Sequence, residues 1–144
     1  MILLDTTVLV YALGQDHSHR EPCRELIAAI ADGRVQATTT VEAIQEFVHV
    51  RARRRDRVEA AELGRDYAAL LAPLLSPGRR DLQDGLALFE RDPRLGAFDA
   101  VLAEASLNAG LSALVSADCA FAGVPGLAHV VPDRAGVASL IAAG

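Results

Sequence analysis

With 144 residues and 51% apolar side chains, the chain can close one hydrophobic core, is too small for two, and is too apolar to be disordered. Its apolar opening breaks at Asp5 and the later run AALLAPLL is far short of a bilayer span, so neither a leader nor a membrane anchor is expected and the cytoplasm is the expected compartment. The formal charge of −5 argues against a broad basic surface, and two cysteines are too few for a thiolate metal site.

In chain order, Ile2 to Leu4 read as a short buried strand, and Thr6 or Thr7 can cap a helix running to about Gly14. A second helix is expected from Ser18, where S-H-R-E fits a capping box with Pro22 in the first turn, to about Gly33. Val35 to Thr39 suit a second strand, and Thr40 caps a helix that reaches the arginine run. Asp56 opens another helix that Pro73 ends, and Leu74 and Leu75 are expected as a short third strand. A helix over DLQDGLALFERD, a turn at Pro93 to Gly96 and a helix from Ala97 to Ala109 follow. Ser112 to Ser116 and His129 to Val131 complete the strands, with a last helix after Pro132. Strands alternating with helices imply an α/β domain on a parallel sheet, expected to be one domain over residues 1–144.

Four acidic residues stand out because each lies where an apolar run gives way to a helical segment. They are Asp5, Glu46, Asp99 and Asp118. In an open parallel sheet, residues beyond the carboxyl ends of different strands share one crevice. Gathered there, the carboxylates would raise each other's pKa values unless a hard divalent cation, Mg²⁺ or Mn²⁺, neutralised them. Each has an ordinary alternative, as a helix cap or a first-turn acid. For Asp5 the cap role is open to Thr6 or Thr7, which favours a functional reading. Glu42 and Glu46 share a helix face, and Glu46, flanked by Ile44, Phe47 and Val48, is expected nearer the core and is chosen.

All fourteen basic residues are arginine, and five of them, Arg51, Arg53, Arg54, Arg55 and Arg57, fall within RARRRDR. A phosphate-binding patch and a solvated helix end are equally consistent with that run. Two divalent ions in the acidic cluster would also offset most of the net negative charge. The four histidines show no metal-ligand spacing, and Cys119 is expected as a buried, inert thiol.

At these residues the chain resembles the PIN-domain ribonucleases, in particular the VapC toxins of bacterial toxin–antitoxin pairs. MILLDTTVLVYAL resembles the family opening, and AIQEFVHV the segment carrying its glutamate, which supports Glu46 over Glu42. FDAVLAEASLNAG and LSALVSADCAF resemble the third and fourth acidic segments, with Ser116 where threonine is usual. The resemblance runs essentially end to end. It departs at Ala120, where the family often has a further acidic residue, leaving fewer ligands for a second ion.

The resemblance implies a three-layer α/β/α domain with a five-stranded parallel sheet and Mg²⁺ or Mn²⁺ in an acidic pocket. It also implies an RNA substrate, often tRNA or rRNA, a cognate VapB-type antitoxin and a homodimer. On that reading a cation held by Asp5, Asp99 and Asp118 lowers the pKa of a water that attacks phosphorus in line. Glu46 ligates a second ion or orients the water, while Thr6 and Ser116 support the ligands or meet the phosphate. An antitoxin segment is expected along the groove between the second and third helices, over Leu9, Leu13, Ile27 and Val50, with an arginine reaching the pocket.

Rival readings are weaker. A phosphotransferase with Asp5 as nucleophile needs a second aspartate where Thr7 stands, and a nucleotide-binding module lacks any glycine-rich phosphate loop. A catalytically inactive PIN module that only binds RNA or protein, and an RNA-processing PIN nuclease that is not a toxin, are the remaining alternatives.

Overall fold

The computed structural model describes residues 1–144. Four short strands form a parallel sheet in the order β2-β1-β3-β4: β1 (Ile2–Leu4), β2 (Ala37–Thr38), β3 (Leu114–Val115) and β4 (His129–Val130). Leu3 lies across from Thr38 on one side and Leu114 on the other, and Leu114 pairs onward with His129. The chain thus leaves β1 towards one edge and returns to its other side, which puts a topological switch point between β1 and β3. The crevice beyond their carboxyl ends is where such sheets hold ligands.

Seven helices cover the sheet: α1 (Thr6–Leu13), α2 (Arg20–Ala31), α3 (Val41–Ala52), α4 (Arg57–Leu70), α5 (Arg79–Arg91), α6 (Ala97–Asn108) and α7 (Arg134–Ala143). Alternation along β1 divides the core between its two faces. Ile2 and Leu4 join Val8, Leu9, Leu26, Phe47, Leu71 and Val137 under α1 to α4 and α7. Leu3 and Leu114 face the other way, against Leu88, Leu102 and Phe121 under α5 and α6. Each large side chain buried this way contributes roughly 1.5–3 kcal/mol. The two helices of the second layer approach closely at Gly85, where an added Cβ would lie 2.6 Å from the Cα of Val101.

The α/β/α layering agrees with the sequence expectation, but the sheet has four strands rather than five. Leu74 and Leu75 form only a single bridge, between Leu75 and Thr40. The neighbouring Pro73 has no N–H to donate, and its carbonyl is taken by the Thr38 hydroxyl at 2.8 Å, so pairing stops at Leu75. The second helix also starts later than expected: it begins at Arg20, with His19 at the N-cap and no side-chain cap bond, so Ser18 forms no capping box. Gly33 and Gly110, at φ of 73° and 65°, follow α2 and α6 where the sequence places their ends.

Candidate active site

Asp5 follows β1 directly and is buried. Its Oδ1 accepts the Thr6 N–H at 2.7 Å, so Asp5 itself caps α1, and the expectation that Thr6 or Thr7 would do so is corrected. Its Oδ2 accepts from the hydroxyls of Thr7, at 2.8 Å, and Ser116, at 2.7 Å. Ser116, buried at the end of β3, also accepts the Asp118 N–H at 3.0 Å, and Thr7 accepts the Ala117 N–H at 3.1 Å. The ends of β1 and β3 are thus tied together through Asp5, and its carboxylate is held in one orientation.

Thr6 turns the other way. Its hydroxyl donates to Glu46 Oε2 at 2.8 Å, linking α1 to α3. Glu46 is an exposed residue, not the core-facing one the sequence suggested. Glu42, one turn earlier, is half-buried and lines a separate, largely apolar hollow with Leu82, Leu86 and Phe98. Glu46 is thus set apart from Glu42 by the hollow it faces and not by burial. Asp99 enters from the first turn of α6 and is half-buried. Asp118 caps the short 3₁₀ turn Cys119–Gly123 by accepting the Ala120 N–H at 2.9 Å.

Asp5, Glu46, Asp99 and Asp118 line one open cleft of about 600 Å³, together with Thr6, Thr7, Val10, Tyr11, His17 and Arg54. Burial first, and then the charges of Asp5, Asp118 and Glu46, push the Asp99 carboxyl up to about 6. The donor set is anionic and all oxygen, which is the chemistry Mg²⁺ and Mn²⁺ take. No three acidic, histidine or cysteine side chains close into a ready ligand cage. An ion that keeps much of its water shell, as Mg²⁺ does, needs direct contact with only one or two carboxylates.

The arginine run divides. Arg54 lines the acidic cleft. Arg51, one of the candidate phosphate contacts, is engaged within the fold: it donates to Glu59 at 2.7 Å and to the Leu13 carbonyl at 3.3 Å, and only 19% of its side chain is exposed. It ties α3 to α4 and to the end of α1. Arg53 and Arg55 are exposed in the turn after α3, and Arg57 lines a different hollow on the α3–α4 side.

Two further expectations change. Leu9 is fully buried and offers nothing to an antitoxin segment, while Leu13, Ile27 and Val50 are half-buried. Cys119 is exposed, and it is Cys23 that is buried, its thiol pushed up to about 12 by burial. Thr7, read from sequence only as a possible cap, and Tyr11 both reach the cleft, and their spacing of four on α1 is the signal that puts them on one face towards it. His17, in the loop after α1, has no periodic signal to mark it.

Residues 2–127 match the family model described as PIN domain. The chain belongs to the PIN-domain family. It is 58% identical to Ribonuclease VapC7 of Mycobacterium tuberculosis over 142 residues, 98% of each chain. It is also 31% identical to Ribonuclease VapC23 of the same species, over 69% of this chain and 78% of that protein. To Ribonuclease VapC13 it is 26% identical, over 88% of this chain and 97% of the other. This PIN domain is therefore of the VapC type, and the switch-point cleft is its candidate active site.

Proposed function

We propose that this PIN domain is an endoribonuclease that uses Mg²⁺ or Mn²⁺ and serves as the toxin of a toxin–antitoxin pair. The observation that carries the reading is the meeting of Asp5, Glu46, Asp99 and Asp118 in one cleft. The likeness to ribonucleases over the whole chain supports it.

In this reading Asp5, Asp99 and Asp118 hold the cation, and Glu46 holds a second one or orients the attacking water. A divalent ion there supplies Lewis acidity at phosphorus and offsets charge on the leaving oxygen. The chain's own residues do the positioning. The Thr7 and Ser116 hydroxyls and the Thr6 N–H fix the Asp5 carboxylate, and the Thr6 hydroxyl fixes Glu46. Arg54 meets a phosphate of the strand that enters the cleft, with Arg53, Arg55 and Arg57 farther out along its path.

The whole chain acts as one catalytic unit in the cytoplasm, on RNA that includes tRNA or rRNA among its candidates. No helix is long and apolar enough to cross a membrane. A cognate VapB-type antitoxin inhibits it by setting an arginine among the cleft carboxylates, which can accept its paired donors. Pairing of two copies is supported by the exposed stripe of Leu82, Leu86 and Phe89 on α5 beside Phe98 on α6.

The decisive experiment incubates purified protein with a panel of RNAs, with Mg²⁺ or Mn²⁺ and with a chelator. Cleavage that needs the ion and leaves 5′-phosphate ends is expected. Full activity in chelator, or cyclic-phosphate ends from attack by the 2′-hydroxyl, would overturn the mechanism.

A further inference from the structure

One wall of the cleft is aromatic. Tyr11, on α1, lies face to face with His17, their ring centroids 4.3 Å apart and their planes within 7°. His19 stands beside both, tilted by 42° to Tyr11 and 41° to His17. The His17 Nδ1 accepts the His19 backbone N–H at 3.2 Å, which holds the ring in its plane and leaves Nε2 as the proton-bearing nitrogen of the neutral form. Tyr11 is half-buried, whereas His17 is exposed and lines the same cleft as the four carboxylates.

A flat ring backed by a second ring, ordered in advance and open to a phosphodiester site, has the geometry that single-stranded nucleic acid uses. Unpaired bases stack on aromatic faces, histidine included, and the contact tolerates sequence because every base has a π-face. Gln15 and Asp16, from the same loop, bring an amide and a carboxylate to this wall, suited to hydrogen bonds with the edge of a base.

Resting on the ribonuclease reading above, we propose that His17, backed by Tyr11, stacks a nucleobase of single-stranded RNA next to the phosphate being cut. His17 is a positioning residue: it sets where the strand lies and takes no part in bond breaking. The Tyr11–His17–base stack fixes the register of the strand on the carboxylates.

The test uses the full-length protein and an RNA it cleaves, together with variants of that RNA in which one nucleotide at a time near the cut carries no base. For the wild-type protein, removal of one particular base is expected to raise KM about tenfold. In His17→Ala, KM for the intact RNA should rise by a similar factor, kcat should stay within about twofold, and the penalty for the missing base should vanish. His17→Phe, which keeps a flat ring, should restore both KM and the base penalty. An unchanged base penalty in His17→Ala would overturn the stacking site, as would His17→Phe behaving like His17→Ala. If the wild-type protein cuts no RNA with either metal, the ribonuclease reading itself fails and the stacking site with it. Cleavage with an undiminished base penalty in His17→Ala removes the stacking site alone.

Discussion

Asp92 and Asp99 flank the turn between α5 and α6, and their carboxyls are displaced in opposite directions. Arg94 grips Asp92 with its backbone N–H, its Nε at 2.8 Å and its Nη2, and holds that carboxyl down at about 2. The Arg94 guanidinium lies so close over Gly123 that an added Cβ there would meet it. Asp99, a few residues on, is pushed up to about 6 by burial and by the charges of Asp5, Asp118 and Glu46. The chain is able to supply an internal counter-ion to a buried carboxylate, and it does so for Asp92. At the switch-point cleft it places hydroxyls around Asp5 and sends only Arg54 to the wall. A charge balanced from within serves the fold, whereas one left unbalanced is suited to a charge from outside.

The largest expected effect comes from removing the unbalanced charge. Asp99→Asn and Asp5→Asn should each lower kcat/KM on RNA by about 10²-fold or more in saturating Mg²⁺, with the circular dichroism spectrum unchanged. Asparagine is preferred at position 5 because it can still accept the Thr6 N–H, so loss of charge is separated from loss of the cap, which alone costs about 1 kcal/mol. Glu46→Ala should be severe and Glu42→Ala mild, since Glu42 faces the apolar hollow. Cleavage that survives Asp99→Asn, or the reverse order for the two glutamates, would break the assignment of the cleft.

Stability against pH should carry opposite signs at the two aspartates. The folded-state value of Asp92 lies below its ordinary 3.8, so its contribution is present above about pH 4 and is lost as pH falls through about 2. The folded-state value of Asp99 lies above its ordinary 3.8, so its contribution is complete below about pH 4 and is lost as pH rises through about 6. Metal-free protein should therefore lose on the order of 1–2 kcal/mol at Asp99 between pH 4 and 7, after solvent screening. Denaturant titrations of the wild type and Asp99→Asn across that range measure it as the difference between them, and Mg²⁺ at pH 7 should recover stability in the wild type only. Parallel curves for the two proteins would show that the Asp99 carboxylate is not strained by its neighbours.

The sequence made the parallel α/β fold and the meeting of four acids at one crevice legible for a physical reason, while the three-layer arrangement came only with the family resemblance. Buried strands followed by helices are marked by composition, and parallel topology brings strand ends together whatever the loops do. Pairing that depends on one missing N–H was not legible, so Leu74 and Leu75 read as a strand and form only a bridge. Nor was the direction a side chain takes from a helix end. Glu46 was chosen for its apolar neighbours, yet it is exposed, and Asp5 turned out to supply the cap assigned to the threonines. The Tyr11–His17 stack depends on how a loop folds back over α1, which no period records.

The smallest expected effect extends the comparison from acids to bases. Arg51 and Arg54 stand in the same run, but Arg51 is balanced by Glu59 across α3 and α4, whereas Arg54 borders the cleft and has no salt bridge among those the structure forms. If unbalanced charge at this cleft serves the ligand, Arg54→Ala should weaken RNA binding several-fold. Loss of one phosphate contact on a single strand should also flatten the salt dependence, lowering the slope of log K against log salt by about 0.7. Arg51→Ala should leave that slope unchanged and lower thermal stability, because it removes the tie between α3, α4 and the Leu13 carbonyl and leaves Glu59 without its partner. Binding titrations at several salt concentrations, on an RNA too short to span more than the cleft, separate the two variants. Equal slopes for Arg54→Ala and the wild type would remove Arg54 from the RNA path, and a reduced slope for Arg51→Ala would show that its pair with Glu59 opens when RNA binds.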